Sequence, residues 1–188
     1  MISKQQVLAL LHQHTKNQNL RRHMYAVGFA MRALAKKLGG DPDVWEVLGL
    51  LHDADWEETK DNPDQHTKNT LSWLEELGEN EGPIVHALMS HNRKYTHLAE
   101  LEGKMEWALE TVDELTGFIV AVTLVRPDKK LAAVGVDSVM KKWKTKEFAK
   151  AVDRSQIAQC EEKLDILLNE FINIVLKTMQ ENHNELGL

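Results

Sequence analysis

A helical apolar period runs through almost the whole chain and nowhere gives way to the two-residue alternation of a half-buried strand. It starts with Val7, Leu8, Leu10 and Leu11, which mark a short first helix. From Leu20 to Leu38, Met24, Val27, Ala30, Met31, Leu34, Ala35 and Leu38 recur at three- and four-residue steps until Gly39-Gly40 stops them. Asp41-Pro42 opens the next helix, which carries Trp45, Leu48 and Leu51 toward His52. After a turn at 61–64 containing Asn62-Pro63, a helix is predicted from about Gln65 to Leu77, ending at Gly78. Glu81-Gly82-Pro83 starts another, with Ile84, Val85, Leu88 and Met89 inside. The polar stretch from Asn92 to Gly103 reads as the longest loop, placed to line a cleft.

The segment from Met105 to Leu124 is the strongest core element. Its stretch from Ile119 to Val125 is β-branched enough to suggest a strand, but its length and unbroken helical spacing predict a central buried helix that stops at Arg126-Pro127. A basic patch at 141–150 is interrupted by Trp143 and Phe148. A single final helix is predicted from about Ser155 to Met179, carrying Leu164, Leu167, Leu168, Phe171, Ile174 and Val175. With no strand pattern and no long linker, the expectation is an all-α, single-domain helical bundle over residues 1–188.

Composition narrows the function classes. The chain has 188 residues, long enough for one sizeable core, and its 43% apolar content argues against disorder. With 29 acidic and 23 basic residues the net charge is −6, so no broad nucleic-acid surface is expected and duplex binding is not anticipated. The single cysteine, Cys160, rules out an intrachain disulfide and a thiolate metal cluster; it points to a reducing compartment, and the cytoplasm is the expected location. The first residues show no hydrophobic signal core and no run of about 18 apolar residues exists, so no membrane span is expected. Oligomeric state is not legible here.

Nine histidines are the chemical signature. His12, His14 and His183 lie near the ends of the chain and read as solvated. His23 interrupts the inner side of its helix, His52-Asp53 follows an apolar run, and Asp113 sits between Val112 and Leu115. A bare carboxylate in such surroundings needs a metal, a cation or several donors, because desolvation is costly. Imidazole and carboxylate together suit a divalent ion such as Mn, Fe, Zn, Co, Ni or Mg. If His23, His52, Asp53 and Asp113 converge they hold one ion. His66 and His91 complete a second, with Asp53 as the bridge. The competing readings are a satisfied core histidine for His23 and a solvated acidic turn for Asp113. His86 and His97 stand as outer groups or as bystanders. Trp45, Trp56, Trp73, Trp107 and Trp143 are expected to pack helices, with Trp56 near enough to the doublet to stack on a base instead.

The order His23, His52-Asp53, Asp113 resembles the HD-domain superfamily of metal-dependent phosphohydrolases. The run Val112-Asp113-Glu114-Leu115-Thr116-Gly117-Phe118-Ile119-Val120-Ala121 is similar to its small bacterial members, as is the run from Val139 to Ala149. The resemblance implies a helical bundle with a metal-binding core at 20–125 and a helical extension at 126–188. It implies metal ligation by His23, His52, Asp53 and Asp113, with His66 and His91 matching the extra pair of dinuclear members. The implied activity is hydrolysis of a small nucleotide or phosphate ester by metal-activated water, with Asp53 and Asp55 as candidate catalytic carboxylates, Asp55 either orienting the water or sitting in a solvated acidic helix end. Phosphate binding is expected at Lys94, Lys141, Lys142 and Lys144, with Lys146 in the same patch; the competing reading of the lysines at 141–146 is a solvated basic face. The chain lacks the Gly-Tyr-Pro extension of the cyclic-dinucleotide enzymes and the synthetase domain of the long alarmone enzymes. Two other readings stay open: a non-catalytic metal-bound sensor or binding module, and a di-iron oxygenase using the same ligands.

Overall fold

Helix boundaries in the computed structural model, which describes residues 2–188, follow local punctuation in the sequence. Ser3 and Gln6 form a reciprocal cap that starts α1 (Lys4–His14). The Asn17 side chain accepts from the amides of Asn19 and Leu20 at the head of α2 (Gln18–Leu38). Gly39, at φ 78°, ends α2 in the left-handed region where a side chain would be strained. Asp41 then caps α3 (Pro42–Leu51), with Pro42 in the first turn. A single turn, α4 (Trp56–Thr59), and a 3₁₀ turn (Pro63–Gln65) lead to α5 (Lys68–Glu76). Helix α6 (Pro83–His91) is followed by the one-turn α7 (Arg93–Thr96). The Glu106 carboxylate accepts from the Gly103 amide at the start of α8 (Lys104–Leu124). Beyond a second 3₁₀ turn (Leu131–Ala133) come α9 (Val136–Trp143), α10 (Arg154–Ala158), α11 (Cys160–Leu164), α12 (Leu168–Glu181) and α13 (His183–Leu186).

The fold is all-α, and no strand occurs among the described residues. The β-branched end of α8 is helical because Ile119, Val122 and Thr123 are buried on a helical face. The two longest helices, α2 and α8, cross at the centre; α3 lies against α2, α6 bridges α3 and α8, and α12 closes the core over α2 and α8.

The α2–α3 contact is the one that positions the site. Gly28 and Gly49 meet there without side chains, and a Cβ added to Gly49 would lie 2.7 Å from the Gly28 Cα. Such close approach of two antiparallel helices brings His23, five residues before Gly28, beside His52, three residues after Gly49. A methyl group at Gly49 would overpack this crossing, at a cost of about 1–3 kcal/mol.

Two local expectations are corrected. The helix after the Asn62-Pro63 turn starts at Lys68 rather than Gln65, because Gln65 belongs to the 3₁₀ turn and Thr67 is held at φ 76°. His66 therefore precedes α5 instead of starting it. The expected single C-terminal helix is interrupted at Gln159, between α10 and α11, and again at Asp165, which adopts φ 56°. The Ile166 amide turns back to the Cys160 carbonyl, and the Leu168 amide is taken by the Glu161 carboxylate. This break buries Leu164 and Ile166 while Leu167 faces outward. Among the described residues no helix is long and apolar enough to cross a membrane.

Candidate metal centre

Six side chains expected from the sequence to ligate metal come together where α2, α3, α6 and α8 meet. His23 Nε2 lies 3.2 Å from His52 Nε2. Asp113 Oδ1 lies 2.9 Å from His23 Nε2 and 3.5 Å from His52 Nε2. The Asp53 carboxylate faces two ways. Its Oδ2 is 3.7 Å from both His23 Nε2 and His52 Nε2. Its Oδ1 is 3.3 Å from His66 Nε2 and 3.8 Å from His91 Nε2. The donor atoms of His23, His52 and Asp113 lie within 4.8 Å of one another, as do those of His52, Asp53 and His91.

Each of three histidines is turned so that Nε2 points inward. His52 Nδ1 donates to the Gly49 carbonyl at 2.8 Å. His66 Nδ1 donates to Asp55 Oδ1, also at 2.8 Å. Thr116 gives its own hydroxyl proton to the Asp113 carbonyl, so its oxygen is left to accept from His23 Nδ1 at 3.4 Å. A histidine that donates through Nδ1 presents an Nε2 lone pair, which is how protein ligands are aimed at a metal.

Burial makes these charges matter. His52 is wholly buried, and burial alone would disfavour its charged form; Asp53 and Asp113 outweigh that and raise its pKa to about 9. Burial acts the same way on His66, where Asp53 and Asp55 lift the pKa to about 9. For Asp53 burial favours the neutral acid, but His52, His66, His91 and His23 hold it well below the usual carboxylate range. Asp113 is likewise held far down against its burial by His23 and His52. Among the described residues neither Asp53 nor Asp113 has a Lys or Arg at ion-pair distance; their partners are all histidines.

The donors fit a divalent ion. The set is nitrogen and carboxylate oxygen, which Zn, Mn and Fe accept. His91 differs from the other three: its Nε2 faces Asp53, while its buried Nδ1 has no hydrogen-bond partner among the described residues.

Asp55 corrects an expectation. It was expected either to orient a catalytic water or to sit in a solvated helix end. It is instead fully buried, and its oxygens are occupied. Oδ1 accepts from His66 Nδ1 and from the Thr67 amide, and Oδ2 accepts from the Thr70 amide. It holds the head of α5 and aims His66. The left-handed Thr67 is what lets the Thr67 amide reach that carboxylate.

A cleft of about 330 Å³ opens over Asp53, His66, His91 and Asp113. Its walls carry Trp56, Tyr95, Glu110 and Glu114, with Lys94 and Gln156 in contact at 3.3 Å. Trp56 was expected mainly as a helix-packing residue; it is 37% exposed and meets His66 edge-on, with ring centroids 5.0 Å apart. The head of the stretch expected as a loop from Asn92 to Gly103 lines the cleft through Asn92, Lys94 and Tyr95, is partly helical in α7, and is pinned by Asn92 Nδ2, which donates to the Pro63 and His66 carbonyls. Glu110 is neutralised by Arg93 at 3.0 Å, while burial and Asp113 push the Glu114 carboxyl up.

Lys141, Lys142 and Lys144 are not among the residues lining this cleft. They lie on and just after α9, anchored by Trp143 and Phe148 against Phe118, with the Lys142 ammonium over the Phe148 ring. Lys146 is exposed in the same segment. His86 pairs with Glu106 at 3.1 Å, and His97 is exposed at φ 52°. Sequence reasoning missed Thr116 and Gln156. Thr116 had a signal, a hydroxyl three residues after Asp113 on the same helical face; Gln156 had none.

A helical bundle whose crossing helices converge imidazoles and carboxylates beneath an open cleft belongs to the class of metal-binding helical domains. A family model for the HD domain matches residues 20–186, and the chain belongs to that family. The family is broadly one of metal-dependent phosphohydrolases. No curated protein and no solved structure matches the chain.

Proposed function

We propose that the protein is a metal-dependent phosphohydrolase acting on a small nucleotide or phosphate ester. The observation that carries this reading is the split Asp53 carboxylate, one oxygen facing the His23–His52 pair and the other facing His66 and His91 at the floor of an open cleft. His23, His52, Asp53 and Asp113 would hold one divalent ion; His66, His91 and Asp53 would hold a second. A bound divalent ion lowers the pKa of water and polarises a phosphoryl oxygen.

The chain's own residues do the rest. Gly49, Asp55 and Thr116 fix the histidine rings through Nδ1. Lys94 supplies a positive charge at the mouth for phosphate oxygens. Trp56 and Tyr95 offer apolar surface for the organic part of the ester. The openness of the cleft favours an enzyme over a sensor with a closed structural metal.

The test is metal analysis of protein purified without chelator or nickel resin, followed by phosphate release from a panel of nucleotides and phosphate esters with Mn²⁺. Bound divalent metal and turnover of at least one ester are expected. Metal binding with no phosphate released from any ester overturns the reading, and oxygen consumption by the Fe²⁺-loaded protein would move it to a di-iron oxygenase.

A further inference from the structure

The cation at the cleft mouth does not hold itself in place. Lys94 is exposed and long, and such a side chain gives up much rotamer freedom when fixed. Its ammonium lies 3.3 Å from Gln156 Oε1, a residue sixty-two positions later on α10. The other half of the same amide donates from Nε2 to the Glu110 carbonyl of α8 at 2.7 Å. That carbonyl can only accept, and the ammonium can only donate, so the two contacts together fix which way the amide faces.

Helix α10 is itself held firmly. Asp153 caps it by accepting from the Ser155 and Gln156 amides, the Asp153 amide donates to Glu114, and Ile157 is fully buried. A neutral carbonyl holds an ammonium without cancelling its charge; a carboxylate in the same place would form an ion pair and leave little field for a phosphate. Of the nearby carboxylates, Glu110 is paired with Arg93; Glu114, which accepts from the Asp153 amide, and Asp153 feel the Lys94 charge without an ion-pair contact to it.

We infer that Gln156 is a positioning residue for phosphate binding: it tethers α8 to Lys94 and keeps the Lys94 ammonium over the cleft with its charge intact. The inference rests on the phosphohydrolase reading and deepens it, by assigning part of the substrate-binding wall to the C-terminal region of the chain.

The test uses the full chain loaded with Mn²⁺, with inorganic phosphate titrated calorimetrically and p-nitrophenyl phosphate turned over in parallel. Lys94→Ala is expected to weaken phosphate binding about tenfold, as for loss of a charged hydrogen bond. Gln156→Ala should weaken it by roughly three- to fivefold, raising KM by a similar factor with kcat and metal content unchanged. Because Gln156 acts through Lys94, the double variant should bind phosphate no more weakly than Lys94→Ala alone, within about twofold. Gln156→Glu should weaken binding at least as much as Gln156→Ala, since its charge neutralises the ammonium. The inference is overturned if Gln156→Ala leaves phosphate affinity unchanged, if its loss adds in full to that of Lys94→Ala, if metal is lost with it, or if the unaltered protein binds no phosphate. If the predicted affinity pattern holds and no ester is hydrolysed, the hydrolase reading falls and the role of Gln156 stands.

Discussion

At one end of the α2–α3 pair, Glu46 is buried between Lys4 and Arg32, at 2.6 and 3.0 Å, and Arg32 also binds Asp43. That hollow is the larger of the two, about 550 Å³ against about 330 Å³ for the cleft at the other end. Its charges are matched by cations of the chain, so it needs nothing from outside. Around His23 and His52 the carboxylates meet only imidazoles, whose Nε2 atoms converge on one another. Volume and charge are present in both hollows; what separates them is the kind of cation that balances the carboxylates, fixed Lys and Arg in one and histidines whose protons a metal can displace in the other.

The sharpest way to break this contrast is to remove the shared carboxylate. Asp53→Ala is expected to abolish divalent metal uptake, with the helical spectrum retained, because both halves of the cluster lose a donor. Retention of stoichiometric metal, measured by elemental analysis after gel filtration, would show that the cluster is not the metal centre.

A smaller effect is expected one step out. Asp55→Asn keeps the shape but turns an amide donor toward groups that are themselves donors: His66 Nδ1, the Thr67 amide or the Thr70 amide. Such orienting partners typically contribute 10- to 100-fold in metal affinity, and a loss of about that size is expected in competition with a fluorescent chelator. An unchanged affinity would mean that His66 is not a ligand.

Acidity sharpens the contrast differently. In metal-free protein His52 and His66 have pKa values raised to about 9 from an ordinary 6.5, so their protons stabilise the fold fully below about pH 6.5. That contribution is lost as pH rises through 9. A metal ion must displace Nε2 protons over the same range, so metal uptake should strengthen with rising pH and level off above about 9. Melting curves with and without Mn²⁺ from pH 6 to 9.5 should diverge steadily, the metal-free protein losing stability; parallel curves would contradict the assignment. At the other end of the helix pair, Glu46→Gln should cost about 1 kcal/mol, since Lys4 and Arg32 are half-exposed, and should leave metal content untouched.

The parts of this arrangement that were legible in the sequence are those governed by local rules. Asp41-Pro42, Gly39 and Gly82-Pro83 punctuate helices because capping and left-handed geometry act within a few residues. The cluster of imidazoles and carboxylates was legible because ionisable groups in apolar helical stretches need compensation wherever the helices end up. Asp55 was misread since its burial depends on a strained Thr67 and on the start of α5, neither encoded by pattern. Trp56 was assigned to packing although it borders the cleft, and the break at Asp165 looked like uninterrupted helix because Asp rarely takes the left-handed region that Gly or Asn usually supplies. Gln156 acts across sixty-two residues, a separation that no local pattern carries.

The smallest expected effect concerns the lysines at 141–144, for which the sequence left a phosphate site and a solvated basic face both open. A cluster of like charges reads as a phosphate site when only its spacing is known. Lys142 instead stacks its ammonium on Phe148, 4.8 Å from the ring centroid, and Lys141 and Lys144 are exposed beside it. The segment is held by aromatic contacts of Trp143 and Phe148 with Phe118, so it cannot swing to the cleft without opening that cluster. Replacing Lys141, Lys142 and Lys144 together by Ala should therefore leave KM for a phosphate ester within about twofold at 0.15 M salt, where the Debye length is about 8 Å. Lys94→Ala alone should raise it about tenfold. At low salt the triple variant should show a modest rise in KM that vanishes on adding KCl, the mark of a distant field rather than a contact. A tenfold, salt-independent loss in the triple variant would return those lysines to the site and require α9 to move when substrate binds.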